Sequence, residues 1–293
     1  MTNQEIYEAL RQAGLERLAG QIAPMAKKCV RLETVPTDEK DISVGASKIG
    51  GLPDLPPTIK WPQWKNTPLA FLCQIKLEEI VEYPYCDQLP ATGWLYFFYD
   101  AQQQTWGFSP EDIGSFKVIY YDGPIETLFR RDFPVDSLDV TEDEEKHRIY
   151  EPCRISFYEA VSLPEWNSKE LDKIFNDDEL DLYVDFIEDF SQNYLCATQH
   201  QIFGHSNPIQ GEMRLECQLV TNGLYCGDAS GYGDPRRKTL ELGAEDWQLL
   251  FQLDTDDNSE MMWGDCGRLY FWIRRQDLLE KDFDKAWMIL QCG

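Results

Sequence analysis

The chain has 293 residues and a formal net charge of −25, because 52 acidic residues outnumber 27 basic ones. This balance argues against direct binding of DNA or RNA, since phosphate backbones are bound by clustered lysines and arginines. Hydrophobic residues make up 43% of the sequence, enough for a packed core. No apolar run approaches the roughly 20 residues that cross a bilayer, and nine cysteines without Cys-x-x-Cys spacing favour reduced thiols. We therefore expect a cytoplasmic globular protein with no membrane or nucleic-acid partner.

The chain opens with an amphipathic helix. Thr2 and Glu5 have the spacing of a capping box, and apolar residues then recur at helical intervals. Gly14 is a candidate break in the helix, and Pro24 ends the region. We assign residues 1–28 to this N-terminal element.

Two parts of the chain repeat each other. Residues 69–77 followed by 93–99 correspond to residues 247–254 followed by 263–273, with matching leucines, glutamines and aromatic residues. Each part is then followed by a short acidic turn and another apolar stretch. Each half therefore has the pattern of a strand, a loop, a second strand, a helical turn and a third strand.

This repetition predicts an α+β fold with an internal duplication. The first strand-rich repeat is assigned to residues 29–125 and the second to 195–293, in mixed or antiparallel sheets. Residues 126–194 between them are predicted to form an acidic, partly helical insertion, because residues 136–190 contain 18 acidic and 5 basic side chains.

Several motifs of the chain resemble those of the YwqG-like family, a bacterial family of unassigned function. The resemblance implies an α+β fold of two similar repeats and carries over no catalytic residue. The matching motifs are residues 49–56 (IGGLPDLP), Trp61-Pro62, 71–75 (FLCQI), 93–98 (GWLYFF), His200-Gln201 with Gly204, 262–265 (MWGD) with Gly267, and 290–292 (LQC).

One acidic loop has a spacing that suits a calcium or magnesium ion. Oxygen-bearing side chains fall at positions 1, 3, 5, 7 and 12 of a twelve-residue loop, but Ser259 replaces the glycine that an EF-hand requires. The alternative is an acidic loop that only joins two strands. The candidate ligands are Asp254, Asp256, Asn258, Glu260 and Asp265. A zinc site is a weaker alternative, because its candidate ligands match no compact zinc module; they are His200, His205, Cys217 and Cys226.

The loops that precede the repeated strands form a second candidate site. If the repeats pack about a pseudo-twofold axis, aromatic and amide side chains from both would face each other across a crevice that suits a small polar ligand or a peptide. The alternative is that the tryptophans belong to the core and that the glutamines bind loop backbone. The candidates are Gly50, Gly51, Trp61 and Gln74 in the first repeat, and His200, Gln201, Gln252 and Trp263 in the second.

No catalytic motif is recognisable, so the sequence leaves open whether the protein is an enzyme. The leading hypothesis is a non-catalytic binding protein that engages a protein partner through its acidic surface; immunity to a basic toxin is a specific version of this hypothesis. The alternative is a small-molecule or metal-binding protein, or an enzyme, with its site in the crevice between the repeats.

Overall fold

The computed structural model describes residues 1–134, 149–171, 174–194 and 198–293. The fold is α+β and is dominated by one ten-stranded sheet whose strand pairs are all antiparallel. Seven α-helices are present in the described residues. No helix among these residues has the length and apolar character needed to span a bilayer.

The strands follow one another along the chain as β1 Lys27–Pro36, β2 Lys48–Ile49, β3 Asp54–Leu55, β4 Gln63–Trp64, β5 Thr67–Pro68, β6 Ala70–Lys76, β7 Trp94–Tyr99, β8 Phe116–Tyr121, β9 Phe129–Arg130, β10 Cys153–Ser162, β11 Gln201–Ile202, β12 Trp247–Asp254, β13 Arg268–Arg274 and β14 Trp287–Gln291. The helices are α1 Asn3–Gln12, α2 Glu16–Ile22, α3 Asp177–Tyr194, α4 Arg214–Val220, α5 Ala229–Gly233, α6 Arg237–Leu240 and α7 Arg275–Leu279.

The central ladder of the sheet joins β1 to β10 over ten residue pairs, from Lys27 opposite Ser162 to Pro36 opposite Cys153. On one side β10 continues to β2, β6, β7 and β8, and on the other β1 continues to β11, β12, β13 and β14. Each arm thus has a two-residue strand followed by three longer strands that are consecutive in sequence. The two parts of the chain predicted to be repeats therefore contribute opposite arms of one sheet. β3 and β9 pair outside this sheet, as do β4 and β5.

The sheet curls until its two ends meet, so that it approaches a barrel. Phe97 of β7 packs against Phe251 of β12, with ring centroids 4.6 Å apart, and Phe116 of β8 packs against Trp287 of β14 at 5.2 Å. The amide of Leu290 donates a hydrogen bond to the carbonyl of Trp106, which lies in the loop before β8. Side chains from both arms therefore fill the interior, and the apolar face of each arm is covered by the apolar face of the other arm.

The N-terminal helices pack on the outside of the sheet with α3. The capping box at Thr2 and Glu5 is formed, and Gly14, at φ +84°, separates α1 from α2. Tyr183, Phe186 and Phe190 form the buried stripe of α3 and join the apolar faces of α1 and α2 in a second core.

The segment predicted as an acidic insertion contains more than helix. It contributes β9, the central strand β10 and α3. Within the predicted insertion and the start of the second repeat, residues 135–148, 172–173 and 195–197 lie outside the described residues. Residues 214–220, whose pattern suits either a strand or a helix, form α4, which packs beside the start of β12.

Candidate ligand-binding site

The glycines predicted to shape the first loop form a turn directly after β2. Gly50 and Gly51 have φ values of +70° and +66°. A Cβ on Gly50 would lie 2.1 Å from the carbonyl oxygen of Glu151, and one on Gly51 would lie 1.8 Å from the carboxylate of Glu39. Both positions therefore require glycine. Phe203 and Gly204, at φ +59° and +81°, make the same pair of left-handed residues after β11.

The two repeated glutamines make closely similar hydrogen bonds. Gln74 accepts from the amide of Asp54 at 2.9 Å and donates to the carbonyl of Ala46 at 2.7 Å and to Asp54 Oδ2 at 2.8 Å. Gln252 accepts from the amide of Asn207 at 2.9 Å and donates to the carbonyl of Gln199 at 2.6 Å and to Asn207 Oδ1 at 3.3 Å. Each glutamine is fully buried and ties its strand to the loop of its own arm.

The other predicted crevice residues are also buried. The indole of Trp61 donates to the carbonyl of Leu69, and that of Trp263 donates to the carbonyl of Asp254. Gln201 donates to the carbonyls of Phe203 and His205. These side chains belong to the interior and its loops. Three pockets are found among the described residues, and none of the eight crevice candidates lines any of them.

His200 is held in one tautomer. Its Nδ1 accepts a hydrogen bond from the amide of Asp254 at 3.0 Å, so the proton is on Nε2, which donates to Asp256 Oδ2 at 3.3 Å. Burial, the largest single effect, raises the pKa of Asp256, but the interactions with His200, Thr34 and the backbone amide of Asn258 together outweigh it, so the pKa is lowered.

The predicted metal ligands of the acidic loop have protein partners or face solvent. Asp254 pairs with Arg268 at 2.7 Å, and the amide of Asn258 donates to Thr34. The side chains of Glu260 and Asp265 are exposed. No three His, Cys, Asp or Glu side chains are grouped as metal ligands within the described parts of the chain. The calcium or magnesium site stays a prediction.

Behind the glycine turn lies a buried ionic network that the sequence does not reveal. Asp54 is fully buried and pairs with Arg130 at 3.0 Å. Arg130 also pairs with Glu39 at 2.9 Å, and Glu39 pairs with the fully buried Lys48 at 2.7 Å. Because every charge in the group has a partner, the network fixes the loop without leaving an isolated charge.

A pocket of about 370 Å³ opens beside the central strands. Its walls are the first residues of β1, the loop 203–208 after β11, the start of β12, the end of β13 and residues 165–170. Its volume lies in the range of about 300–1,000 Å³ that is usual for small-molecule sites. Aromatic side chains of Tyr85, Phe203, Trp247 and Trp272 line it.

Cations surround this pocket, although the chain as a whole is strongly acidic. Lys27, Lys28, Arg214 and Arg275 all line it. Lys28 pairs with Glu159 at 2.9 Å, whereas no ion pair within the described residues involves Lys27 or Arg275. The pKa of Lys27 is lowered because neighbouring protein atoms displace water from its ammonium group.

Arg214 is already occupied by carboxylates. It makes two hydrogen bonds to Glu170 at 2.9 and 2.8 Å, one to Glu212 at 2.6 Å and one to Glu245 at 3.2 Å. Burial alone would raise the pKa of Glu170, but the bonds from Arg214 hold it at about 2. The unpaired positive charge of the pocket therefore comes from Lys27 and Arg275.

His205 presents a neutral imidazole to the pocket. Its Nε2 lies 2.9 Å from the carbonyl oxygen of Met25, which can only accept, so Nε2 carries the proton and Nδ1 keeps its lone pair. Burial, with the nearby charge of Lys27, lowers the pKa of His205 to about 4. The ring is therefore uncharged at neutral pH and offers a hydrogen-bond acceptor.

Glu165 is another group of the pocket whose pKa is shifted. Burial raises the pKa of its carboxyl group to about 8, and Arg268 offsets this only in part. No hydrogen bond to this carboxyl group comes from the described residues. At pH 7 it is mostly protonated and can donate one.

Two polar groups of the pocket wall lack a partner. Ser168 and Trp272 line the pocket and are each 5% exposed. The Ser168 hydroxyl and the Trp272 indole N–H make no hydrogen bond within the described parts of the chain. Because a buried polar group without a partner costs free energy, such groups mark a place where a ligand can supply an acceptor.

One known protein family matches most of the chain. The sequence model of a domain of unknown function, DUF1963, matches residues 47–292. The chain belongs to this family. The YwqG-like resemblance is consistent with that assignment. No protein with curated annotation matches the chain.

The DUF1963 match includes most of the pocket and leaves out the residues before 47. Trp247, Trp272 and Arg275 lie inside the matched span, whereas Lys27 and Lys28 at the start of β1 precede it. Sequence reasoning considered His205 only as a zinc ligand and overlooked the pocket. The pocket residues come from distant parts of the chain, so no local spacing in the sequence connects them.

Proposed function

We propose that this DUF1963 protein binds a small anionic molecule, a carboxylate or a phosphate, in the pocket beside β1 and β12. The observation that carries the proposal is that cations without an ion-pair partner and hydrogen-bond donors without an acceptor line the same pocket. Lys27 and Arg275 offer positive charge, and Ser168 and Trp272 offer buried donors. A negatively charged acceptor would satisfy both kinds of group at once.

The neutral side chains of the pocket add selectivity to this proposal. Protonated Glu165 can donate a hydrogen bond, and His205 Nδ1 can accept one. The aromatic walls favour a ligand with an apolar or planar part next to its charged group. The proposal places the site beside the central strands and not in the crevice predicted between the repeats.

Thermal unfolding with simple anions tests the proposal. Benzoate and inorganic phosphate are the probes, and uncharged benzamide is the control ligand. A ligand at a hundredfold excess over its Kd raises stability by about 2.7 kcal/mol. We expect at least one anion to stabilise the protein and benzamide to have no effect.

Arg275→Ala and Lys27→Ala should each weaken binding of the active anion about tenfold or more, because each removes a charge-assisted hydrogen bond. Lys60→Ala is the matched control, since Lys60 is exposed and does not line the pocket. Isothermal titration of the three variants measures the difference. Equal affinity in all three would contradict the proposal.

We also propose that the two arms arose by internal duplication. The equal strand order, the register shifts at Phe71/Cys73 and Leu249/Phe251, and the matching bonds of Gln74 and Gln252 support it. In each arm, the tyrosine that pairs with the glutamine across the ladder also binds the loop residue that the glutamine binds. The hydroxyl of Tyr96 donates to the carbonyl of Asp54 and that of Tyr270 to the carbonyl of Asn207, each at 2.7 Å.

The duplication predicts equal energetic roles for the two glutamines. Gln74→Leu and Gln252→Leu should each destabilise the protein by about 1–3 kcal/mol, because each leaves a buried amide and carbonyl without a partner. Urea unfolding measures both losses, with the less buried Gln248→Leu as control. A loss for one glutamine only would count against equivalent roles.

A second candidate function is the capture of a basic protein in the cytoplasm. The outer face of α3 supports it, because Asp178, Asp181, Asp185 and Asp189 are all exposed there. Such a surface would speed association with a positively charged partner in a salt-dependent way. Changing these four residues to Asn should abolish salt-sensitive capture of a basic partner, measured against the wild type; capture that is unchanged would refute this role.

A further inference from the structure

An apolar groove adjoins the anion pocket. It has a volume of about 710 Å³. Leu242 is 78% exposed at its edge, and Trp166 is 44% exposed. Large apolar side chains left open to water together at one place are unusual on a surface that has no partner. The other apolar residues that line the groove are Leu171, Phe175, Leu180, Leu215 and Ala244.

The groove and the pocket share one wall. Ser168, Glu212 and Arg214 line both of them. Because Glu170, Glu212 and Glu245 already satisfy the guanidinium of Arg214, this wall offers no free cation. The methylene groups of Glu212 and Arg214 can lie against an uncharged hydrocarbon tail of a ligand while their charged groups remain bonded to each other.

We propose that the ligand is an amphipathic anion whose charged head occupies the pocket and whose apolar tail lies in the adjoining groove. This inference rests on the proposed anion-binding function. It specifies the ligand class as a medium-chain carboxylate or an alkyl phosphate monoester. The head is held by Lys27 and Arg275, and the tail covers Leu242 and Trp166.

The direction of the ligand follows from the charges at the two ends. The unpaired cations Lys27 and Arg275 line only the pocket. The cations of the groove are paired: Lys169 with Glu245 at 2.9 Å, and Arg237 with Glu241 at 3.4 Å. A single anionic group is therefore attracted to the pocket end. The groove end gains free energy from burying methylene groups.

The test compares carboxylates that differ only in tail length. Acetate, hexanoate and decanoate are titrated into the full-length wild type by isothermal titration below micelle-forming concentrations. The affinity should rise along this series by well over tenfold in total, because each buried methylene group adds to binding. A parallel titration with uncharged decanol separates binding of the head from binding of the tail.

Leu242→Asp places a charge in the groove at an exposed position, so the fold should tolerate it. Ile113→Asp is the matched control, since Ile113 is 70% exposed and lines neither the groove nor the pocket. Leu242→Asp should weaken decanoate about tenfold or more and leave acetate unchanged. Ile113→Asp should change neither.

The outcomes separate the two proposals. If benzoate, phosphate and every carboxylate fail to bind the wild type, anion binding itself fails. If short anions bind but decanoate binds no tighter, or if Leu242→Asp leaves decanoate unaffected, only the tail proposal is overturned. If decanol binds as tightly as decanoate and Arg275→Ala has no effect, the groove acts without the pocket, which also overturns it.

Discussion

Asp54→Ala is expected to destabilise the folded protein by about 3–5 kcal/mol, the usual cost of leaving a buried charge without its partner. Asp54 is fully buried and accepts hydrogen bonds from Gly45, Gln74 and Arg130. Its removal takes from Arg130, whose side chain is 19% exposed, one of two carboxylate partners; Glu39 and the backbone carbonyl of Ile42 remain. The turn after β2 would lose its main anchor.

Urea unfolding of the variant measures this loss. Asp122→Ala is the matched control, because Asp122 is an exposed carboxylate on the same arm of the sheet. We expect the control to remain close to the wild type. A loss below about 1 kcal/mol for Asp54→Ala, in the range of an exposed ion pair, would show that the network does not hold the loop.

Glu165→Gln is expected to stabilise the protein at pH 8 and above. The pKa of Glu165 is raised by burial from 4.5 in the unfolded chain to about 8 in the folded protein. Between these values the folded state keeps a proton that the unfolded state loses, so stability falls as the pH rises through this window. The penalty is complete above pH 8 and is on the order of 5 kcal/mol, because each unit of pKa difference corresponds to about 1.4 kcal/mol.

Glutamine cannot ionise, so the variant escapes this penalty. Melting temperatures of wild type and Glu165→Gln from pH 4 to pH 9 should coincide near pH 4 and diverge as the pH rises. Glu126→Gln, at an exposed position, should show no such divergence. A difference between Glu165→Gln and wild type that is the same at every pH would mean that the carboxyl group is not perturbed by burial.

The strands of the repeated segments could be predicted from the sequence because their signals are local. β7 is a continuous apolar and aromatic run, and all six of its residues are buried. The capping box at Thr2 and the break at Gly14 were also readable, since both depend on a few neighbouring residues. The buried glutamines Gln74 and Gln252 were recognised as positions that need partners, and loop backbone supplies part of what they bind.

The pocket could not be predicted, because it depends on how the arms are connected. β1 and β10 meet at the centre of the sheet although more than a hundred residues separate them. This pairing brings Lys27 near Glu165, and the pairing of β1 with β11 brings it near His205. Similarly, Asp54 and Arg130 meet through the short pair of β3 and β9, which has no periodic signal in the sequence. Charge partners of this kind are set by tertiary structure and leave no spacing to read.

A crystal structure of the protein soaked with benzoate tests anion binding most directly. The proposed site predicts a carboxylate within hydrogen-bonding distance of Arg275 or Lys27 and of the indole N–H of Trp272, with the ring against Trp247 or Phe203. A pocket that holds only water at a benzoate concentration that raises the melting temperature would contradict the proposed site.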